Sequence, residues 1–195
     1  MQWSPDDSFI MCTNLKSCTV YLKNLKNDAI ENCLEGWSGT IQEEMLTGVT
    51  WAADSRQILT FTDMQLRATV WSIQDMTEVC YIESPKLLPP KGIDFSTNGK
   101  FMALIQKKSD CKNAITVFYA GHDWKIVNGF EINDVHDPRD CKWVMGNMGI
   151  MVQDNPIECQ FVIYSAMTGS IIVKHTPDSH LGLGIRRISF SPNDK

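Results

Sequence analysis

The chain has 195 residues, 43% hydrophobic and 21% charged, with a formal net charge of -5 and a pI near 5.3. The acidic balance leaves no basic footprint for nucleic acid and no polybasic segment for an anionic membrane surface. The longest apolar runs, such as Phe101-Met-Ala-Leu-Ile105, fall far short of the ~20 residues of a membrane span, and the polar start Met1-Gln-Trp-Ser-Pro-Asp-Asp lacks a signal peptide's apolar region.

In chain order, one turn motif organises everything else. It reads Trp3-Ser-Pro-Asp-Asp7, Trp51-Ala-Ala-Asp-Ser55, Phe95-Ser-Thr-Asn-Gly99, a degenerate Trp143-Val-Met-Gly-Asn147, and Phe190-Ser-Pro-Asn-Asp194. The aromatic positions lie 48, 44, 48 and 47 residues apart, near the ~40–45 of propeller blades. The aromatic residue closes a strand. Asp and Asn then fold onto their own backbone, and Gly or Asn accepts positive φ.

A continuous apolar run follows each of the first four turns: Phe9-Ile-Met-Cys12, Gln57-Ile-Leu-Thr-Phe61, Phe101-Met-Ala-Leu-Ile105 and Gly149-Ile-Met-Val152. Continuous rather than alternating hydrophobicity predicts a strand buried on both faces. A third strand is predicted at Cys18-Thr-Val-Tyr-Leu22, Leu66–Ile73, Ala114-Ile-Thr-Val-Phe118 and Phe161-Val-Ile-Tyr164, all rich in β-branched and aromatic residues. A weaker fourth strand is expected at Glu78-Val-Cys-Tyr-Ile82, Lys125-Ile-Val-Asn128 and Ser170-Ile-Ile-Val-Lys174, and in the first repeat near Ala29-Ile30 or nearly absent. The short β-branched runs exclude a helical bundle, and the lack of amphipathic helices between strands excludes a parallel α/β fold. A β-sandwich does not predict four copies in one phase. The fold class read from this pattern is all-β: a β-propeller with repeats at about 1–46, 47–91, 92–139 and 140–186 and the start of a fifth at 187–195.

These positions resemble the WD-repeat family. The dipeptide that names it survives only in degenerate form, as Trp71-Ser72, Phe118-Tyr119 and Tyr164-Ser165, and Gly121-His122 lies after a third strand rather than before a first. The Asp-His-Ser/Thr-Trp hydrogen-bond network of regular blades is therefore expected to be mostly missing, with packing in its place. A narrower resemblance is to the centrosomal and spindle-pole WD-repeat proteins encoded antisense to a p53-family gene. It rests on the segments 66–73 and 100–104, and on Asp110-Cys111-Lys112, Asp123-Trp124-Lys125 and Leu183-Gly184-Ile185-Arg186, in order along the whole chain. The resemblance implies a non-enzymatic scaffold that anchors microtubule minus ends and supports spindle assembly and cilium formation. It implies a cytoplasmic, microtubule-organising-centre location and two partners, a coiled-coil adaptor and, in some lineages, a minus-end-directed kinesin. The chain starts inside one first strand and stops inside another, so part of a larger, truncated propeller is expected, since open blade edges invite aggregation.

No chemistry competes with that reading. The seven cysteines, Cys12, Cys18, Cys33, Cys80, Cys111, Cys141 and Cys159, contain no Cys-x-x-Cys pair, and free, mostly buried thiols are expected. Gly36-Trp37-Ser38-Gly39 lacks the spacing of a nucleophile elbow and reads as an inter-strand loop. Gly182-Leu-Gly184 has Arg187 where a dinucleotide motif needs its third glycine. Asp134-Val-His136-Asp137 offers a single histidine, and a solvated loop is expected rather than a metal site. Glu43-Glu44 and Asp6-Asp7 read as surface or turn carboxylates. The methionines, Met11, Met102 and Met151 among them, read as core gap-fillers. No cofactor or metal is expected; other proteins are the expected partners, not nucleic acid or membrane. Interface anchors are usually aromatic residues and arginine, and the candidates are Trp37, Arg67, Trp124, Arg139, Arg186 and Arg187. Trp124 could equally pack under its own blade, and Arg67 could equally serve an inter-blade ion pair. Two alternatives are a WD-repeat adaptor of another assembly, such as a ubiquitin-ligase receptor, and a propeller accessory domain of a hydrolase.

Overall fold

The computed structural model describes residues 1–14, 16–22, 38–43, 45–62, 67–121, 123–157, 160–176, 185 and 188–191. Among these residues every regular element is a strand. The first blade is β1 (Gln2–Trp3), β2 (Phe9–Thr13), β3 (Ser17–Leu22) and β4 (Ser38–Gln42); the second is β5 (Leu46–Trp51), β6 (Gln57–Thr62), β7 (Arg67–Ser72) and β8 (Glu78–Glu83). The third is β9 (Ile93–Phe95), β10 (Phe101–Lys107), β11 (Asn113–Tyr119) and β12 (Ile126–Glu131); the fourth is β13 (Asp140–Val144), β14 (Gly149–Gln153), β15 (Phe161–Ser165) and β16 (Ile171–His175). Each blade is an antiparallel meander in sequence order. The chain divides into two compact units, Met1–Glu83 with the first two blades and Ser84–Lys195 with the last two.

The turn motif has the chemistry its composition predicts. Ser4 and Ser96 hydroxyls accept the Phe9 and Phe101 amides at 3.0 and 2.9 Å and donate to the Asp6 and Asn98 side chains at 2.7 Å. In the second copy the Asp54 carboxylate takes the Arg56 and Gln57 amides. The fifth motif position is left-handed in each of the four copies where it is described: Asp7, Ser55, Gly99 and Asn147, with φ of 58°, 59°, 68° and 70°. In the degenerate copy Met145 and Gly146 are left-handed as well.

Strands β6, β10 and β14 are buried along nearly their whole length, as continuous apolar runs require. The first blade departs from expectation. Its fourth strand is Ser38–Gln42, paired with β3 from Ser17↔Gln42 to Tyr21↔Ser38; Ala29-Ile30 lies outside the described residues. A run as polar as Ser-Gly-Thr-Ile-Gln gives little hydrophobic signal, and its pairing with β3 is what makes it a strand. The same finding corrects the loop reading at its described end: Ser38 and Gly39 are strand residues.

Register aligns an aromatic–aliphatic–aromatic row across the first three strands of every blade. The rows are Trp3–Ile10–Tyr21, Trp51–Ile58–Trp71, Phe95–Met102–Phe118 and Trp143–Ile150–Tyr164. Within each unit, the later blade packs this row on its predecessor. Trp51, Ile58 and Trp71 join Met11, Val20 and Ile41 in one cluster, and Trp143, Ile150 and Tyr164 join Ala103, Ile115 and Val117 in another. The tryptophans also reach across by hydrogen bond. The Trp51 indole N–H donates to the Gln2 carbonyl at 3.5 Å, and that of Trp143 to the Asp94 carbonyl at 3.1 Å. Ring pairs Phe9–Trp51 and Phe101–Trp143, 6.2 and 6.3 Å between centroids, repeat the relation, each worth about 0.5–1.5 kcal/mol.

In the second unit a carboxylate reinforces the contact. Asp94 Oδ2 accepts the Trp143 amide at 2.7 Å, and Asp140 Oδ1 accepts the Gly92 amide at 3.1 Å. Burial pushes the Asp94 carboxyl up, against the pull of that Trp143 amide. Trp143→Phe is therefore expected to cost about 1–3 kcal/mol, through a lost donor and lost ring volume. Trp51→Phe, with its longer bond, should cost less. Urea midpoints of the two variants make the comparison.

Candidate protein-interaction surface

At the position that names the WD repeat, the third strands of the second, third and fourth blades carry a bulge, between Val70/Trp71, Val117/Phe118 and Ile163/Tyr164. The residue after each aromatic donates its amide across the following turn, Ser72 to Thr77, Tyr119 to Lys125 and Ser165 to Ser170. The second blade keeps part of the network expected to be missing: the Trp71 indole donates to the buried Thr60 hydroxyl at 2.9 Å. The fourth blade has Tyr164 at the position of Trp71, and burial pushes its hydroxyl far above the usual tyrosine range.

Of the six candidate anchors, Trp37, Arg186 and Arg187 lie outside the described residues. Arg67 begins β7 on the surface, with its guanidinium 4.7 Å from the Tyr81 ring centroid. Tyr81 is exposed and donates its hydroxyl to Glu78, a bond that pushes its pKa up. Arg67, Tyr81 and the exposed Val79 thus form one surface patch on the outer strands of the second blade. Trp124 is 4% exposed and sits inside its blade at φ 46°; a partner finds almost none of its ring. Arg139 is exposed, and its guanidinium meets Asp137 at 2.6 Å.

Asp137 also holds Lys86 at 2.7 Å, and Asp134 holds Lys174 at 3.1 Å. Between these side chains the segment is not the solvated loop expected. The Asp154 carboxylate, 1% exposed, accepts the His136 and Asp137 amides at 3.1 and 2.9 Å, the Asn155 amide at 2.8 Å and Gln160 Nε2 at 2.7 Å. Gln160 Nε2 also reaches the Asp134 carbonyl at 3.0 Å. Asp154 stands outside every motif, though Asp-Asn-Pro is a turn signal. No group of three or more His, Cys, Asp or Glu among the described residues could hold a metal.

The methionines divide. Met11, Met102 and Met151 are buried, as expected, but Met45, Met145, Met148 and Met167 are exposed. Met148 and Met167 lie on adjoining turns, joined by the Ala166 amide on the Met148 carbonyl at 2.9 Å. The apolar-run signal reads methionines in strands and does not see those in turns. Among the described cysteines, Cys18 and Cys141 are buried and Cys111 is exposed. Burial pushes the Cys18 thiol up to about 12 and Cys141 well above its usual value, so neither offers a thiolate near neutral pH.

No protein-family model matches the chain. Along 197 aligned residues it is 27% identical to WD repeat-containing protein WRAP73 of Mus musculus, covering 100% of this chain. The chain is thus similar to a WD-repeat protein from end to end. It spans 40% of WRAP73. Among solved structures, the chain superposes on the WD40 domain of Toxoplasma gondii coronin with a TM-score of 0.61 at 10% identity, over 91% of its length and 45% of coronin's chain. It superposes on Kuenenia stuttgartiensis hydrazine synthase with a TM-score of 0.62 at 14% identity, over 93% of its length and 54% of that chain. At such identities the likeness is one of fold: four consecutive four-stranded propeller blades.

Proposed function

We propose that this chain is a non-enzymatic WD-repeat scaffold that holds other proteins at the centrosome, spindle pole or basal body. In this reading it anchors microtubule minus ends and supports spindle assembly and ciliogenesis. Its partners are a coiled-coil adaptor and a minus-end-directed kinesin. The observation that carries the reading is the similarity to WRAP73 along the whole chain. The physics of the fold agrees with it. Short strands hydrogen-bonded into blades make a rigid support, and such supports present loops and outer strands to partners. The Arg67–Tyr81 patch has the residue types that dominate binding energy at interfaces.

A fluorescently tagged full-length protein is expected to concentrate at microtubule-organising centres and spindle poles. Affinity capture is expected to recover a coiled-coil protein, and less of it with Arg67→Ala. A signal that stays diffuse through mitosis would overturn the assignment.

A further inference from the structure

We infer that the outer surface where the first two blades meet docks a lysine- or arginine-rich amphipathic helix of a partner protein. The inference deepens the scaffold reading and rests on it for one point only, that the partner is helical.

Register sets Thr69 opposite Tyr81 and Arg67 opposite Glu83, so these four side chains share one side of the second blade. That side faces the first blade: the Thr69 hydroxyl donates to Oε1 of Glu43, the residue that follows β4, at 3.3 Å. Thr69 is fully buried, but one strand further out Tyr81 is 52% exposed and Val79 37%. Single exposed apolar residues are ordinary. This ring is different because it is held from two directions. The Arg67 guanidinium lies 4.7 Å from its centroid, and its hydroxyl donates to Glu78. A large ring already fixed in place gives up little side-chain entropy when a partner covers it, and aromatic residues of this kind anchor interfaces.

Charge selects the occupant. Residues 1–83 carry 5 Lys and Arg against 12 Asp and Glu, a net charge of -7, whereas residues 84–195 carry 13 against 11. Among the described residues neither Glu43 nor Glu78 has a cation within ion-pair distance. Glu43 Oε2 has no hydrogen-bond partner among them either. The one cation of the patch, Arg67, lies over the ring. Such a surface repels an acidic partner and draws in a basic one. A helix with one apolar and one basic stripe offers apolar side chains to Val79 and Tyr81 and cations to the carboxylates beside them.

The probe is a labelled amphipathic helix of leucine and lysine, with a counterpart that carries glutamate in place of lysine. In anisotropy titrations of the whole 195-residue chain, the lysine helix should bind at least about tenfold tighter than the glutamate helix. Tyr81→Ala should weaken lysine-helix binding by about tenfold or more, with far-UV circular dichroism and melting unchanged. Glu78→Gln keeps an acceptor for the Tyr81 hydroxyl and removes one charge. It should weaken binding about threefold and flatten its salt dependence, and it carries the test if Tyr81→Ala fails to fold. Asp7→Asn removes one charge from a turn of the same unit, at a left-handed position that asparagine accepts, and should leave binding unchanged. Equal binding of the two helices, wild-type binding by folded Tyr81→Ala, or equal effects of Glu78→Gln and Asp7→Asn would each overturn the inference. The synthetic helix is no cellular partner, so these outcomes leave the localisation test standing, and a diffuse signal in mitosis leaves the docking surface standing.

Discussion

Asp154→Ala is expected to destabilise the second unit by about 3–5 kcal/mol, read as a fall in the urea midpoint without loss of strand content. The carboxylate is the common acceptor for three backbone amides and the Gln160 side chain. Truncation leaves these donors facing a void in a site 1% exposed. Each unsatisfied buried donor costs about 1–3 kcal/mol, and water entering the void recovers only part. Asp154→Asn keeps the shape but turns an amide N–H₂ toward groups that are themselves donors, so roughly half the loss is expected. The effect should spread outward. The 134–137 loop carries Asp137 and Asp134, and with it loosened the ion pairs to Lys86, Arg139 and Lys174 lose their alignment.

The same site sets a pH dependence. Burial pushes the Asp154 carboxyl up, but the donors Gln160, Asp137, Asn155 and His136 more than offset it and hold it below the usual value. The native state therefore binds this proton at lower pH than the unfolded chain does. The stabilisation is complete above the unfolded carboxyl's pKa of about 4. It drains away as pH falls through that value toward the lower native one. Exposed Asp6, Asp75 and Asp110 are also held low, by Ser4, Ser72 and the Lys112 amide in turn, but they are common to wild type and Asp154→Asn. The gap between the two proteins' urea midpoints should be constant near neutrality and shrink as pH drops below about 4. A gap that stays constant down to pH 3 would show that Asp154 is not the acceptor described.

Much of this was legible in the residues, for physical reasons. The turn motif is local chemistry, so the backbone bonds of Asp6, Asp54 and Asn98 follow from residue type and spacing. The buried second strands of the last three blades announce themselves because no solvent face interrupts the apolar run, whereas β2, with a run of the same kind, buries only Met11 fully. The cross-strand row was present as separate aromatic positions, but only register joins Trp51 to Trp71 through Ile58. What escaped reading depends on contacts distant in sequence. β4 is polar and becomes a strand by pairing with β3. Asp154 is one aspartate among many until the fold encloses it. Trp124 has the composition of an anchor and the burial of a core residue, and composition alone cannot separate the two.

Gly169 carries the second large effect, and it shows volume being traded between turn and outer strand. Its φ is 70°, which costs any residue with a Cβ about 1–2 kcal/mol. An added Cβ would also lie 2.6 Å from Cγ and 2.7 Å from Cβ of Phe130, whose ring packs 5.6 Å from that of Tyr164. Overpacking of this kind costs about 1–3 kcal/mol, so Gly169→Ala is expected to lose about 3–4 kcal/mol in all. Gly146→Ala separates the two contributions. Its φ is 60° with nothing within 4 Å of an added Cβ, and only the backbone cost of about 1 kcal/mol should appear. In the first unit the trade runs the other way. The corresponding turn position holds Met76, left-handed at φ 53°, and the glycine is Gly39 on the outer strand beneath it. A bulky side chain is thus tolerated in the turn where the facing strand leaves room. In a Phe130→Gly background, which removes both clashing atoms, the cost of Gly169→Ala should accordingly fall to the level of Gly146→Ala, measured by urea unfolding of all four combinations. An unchanged cost in that background would place the whole penalty in the backbone and remove Phe130 from the account.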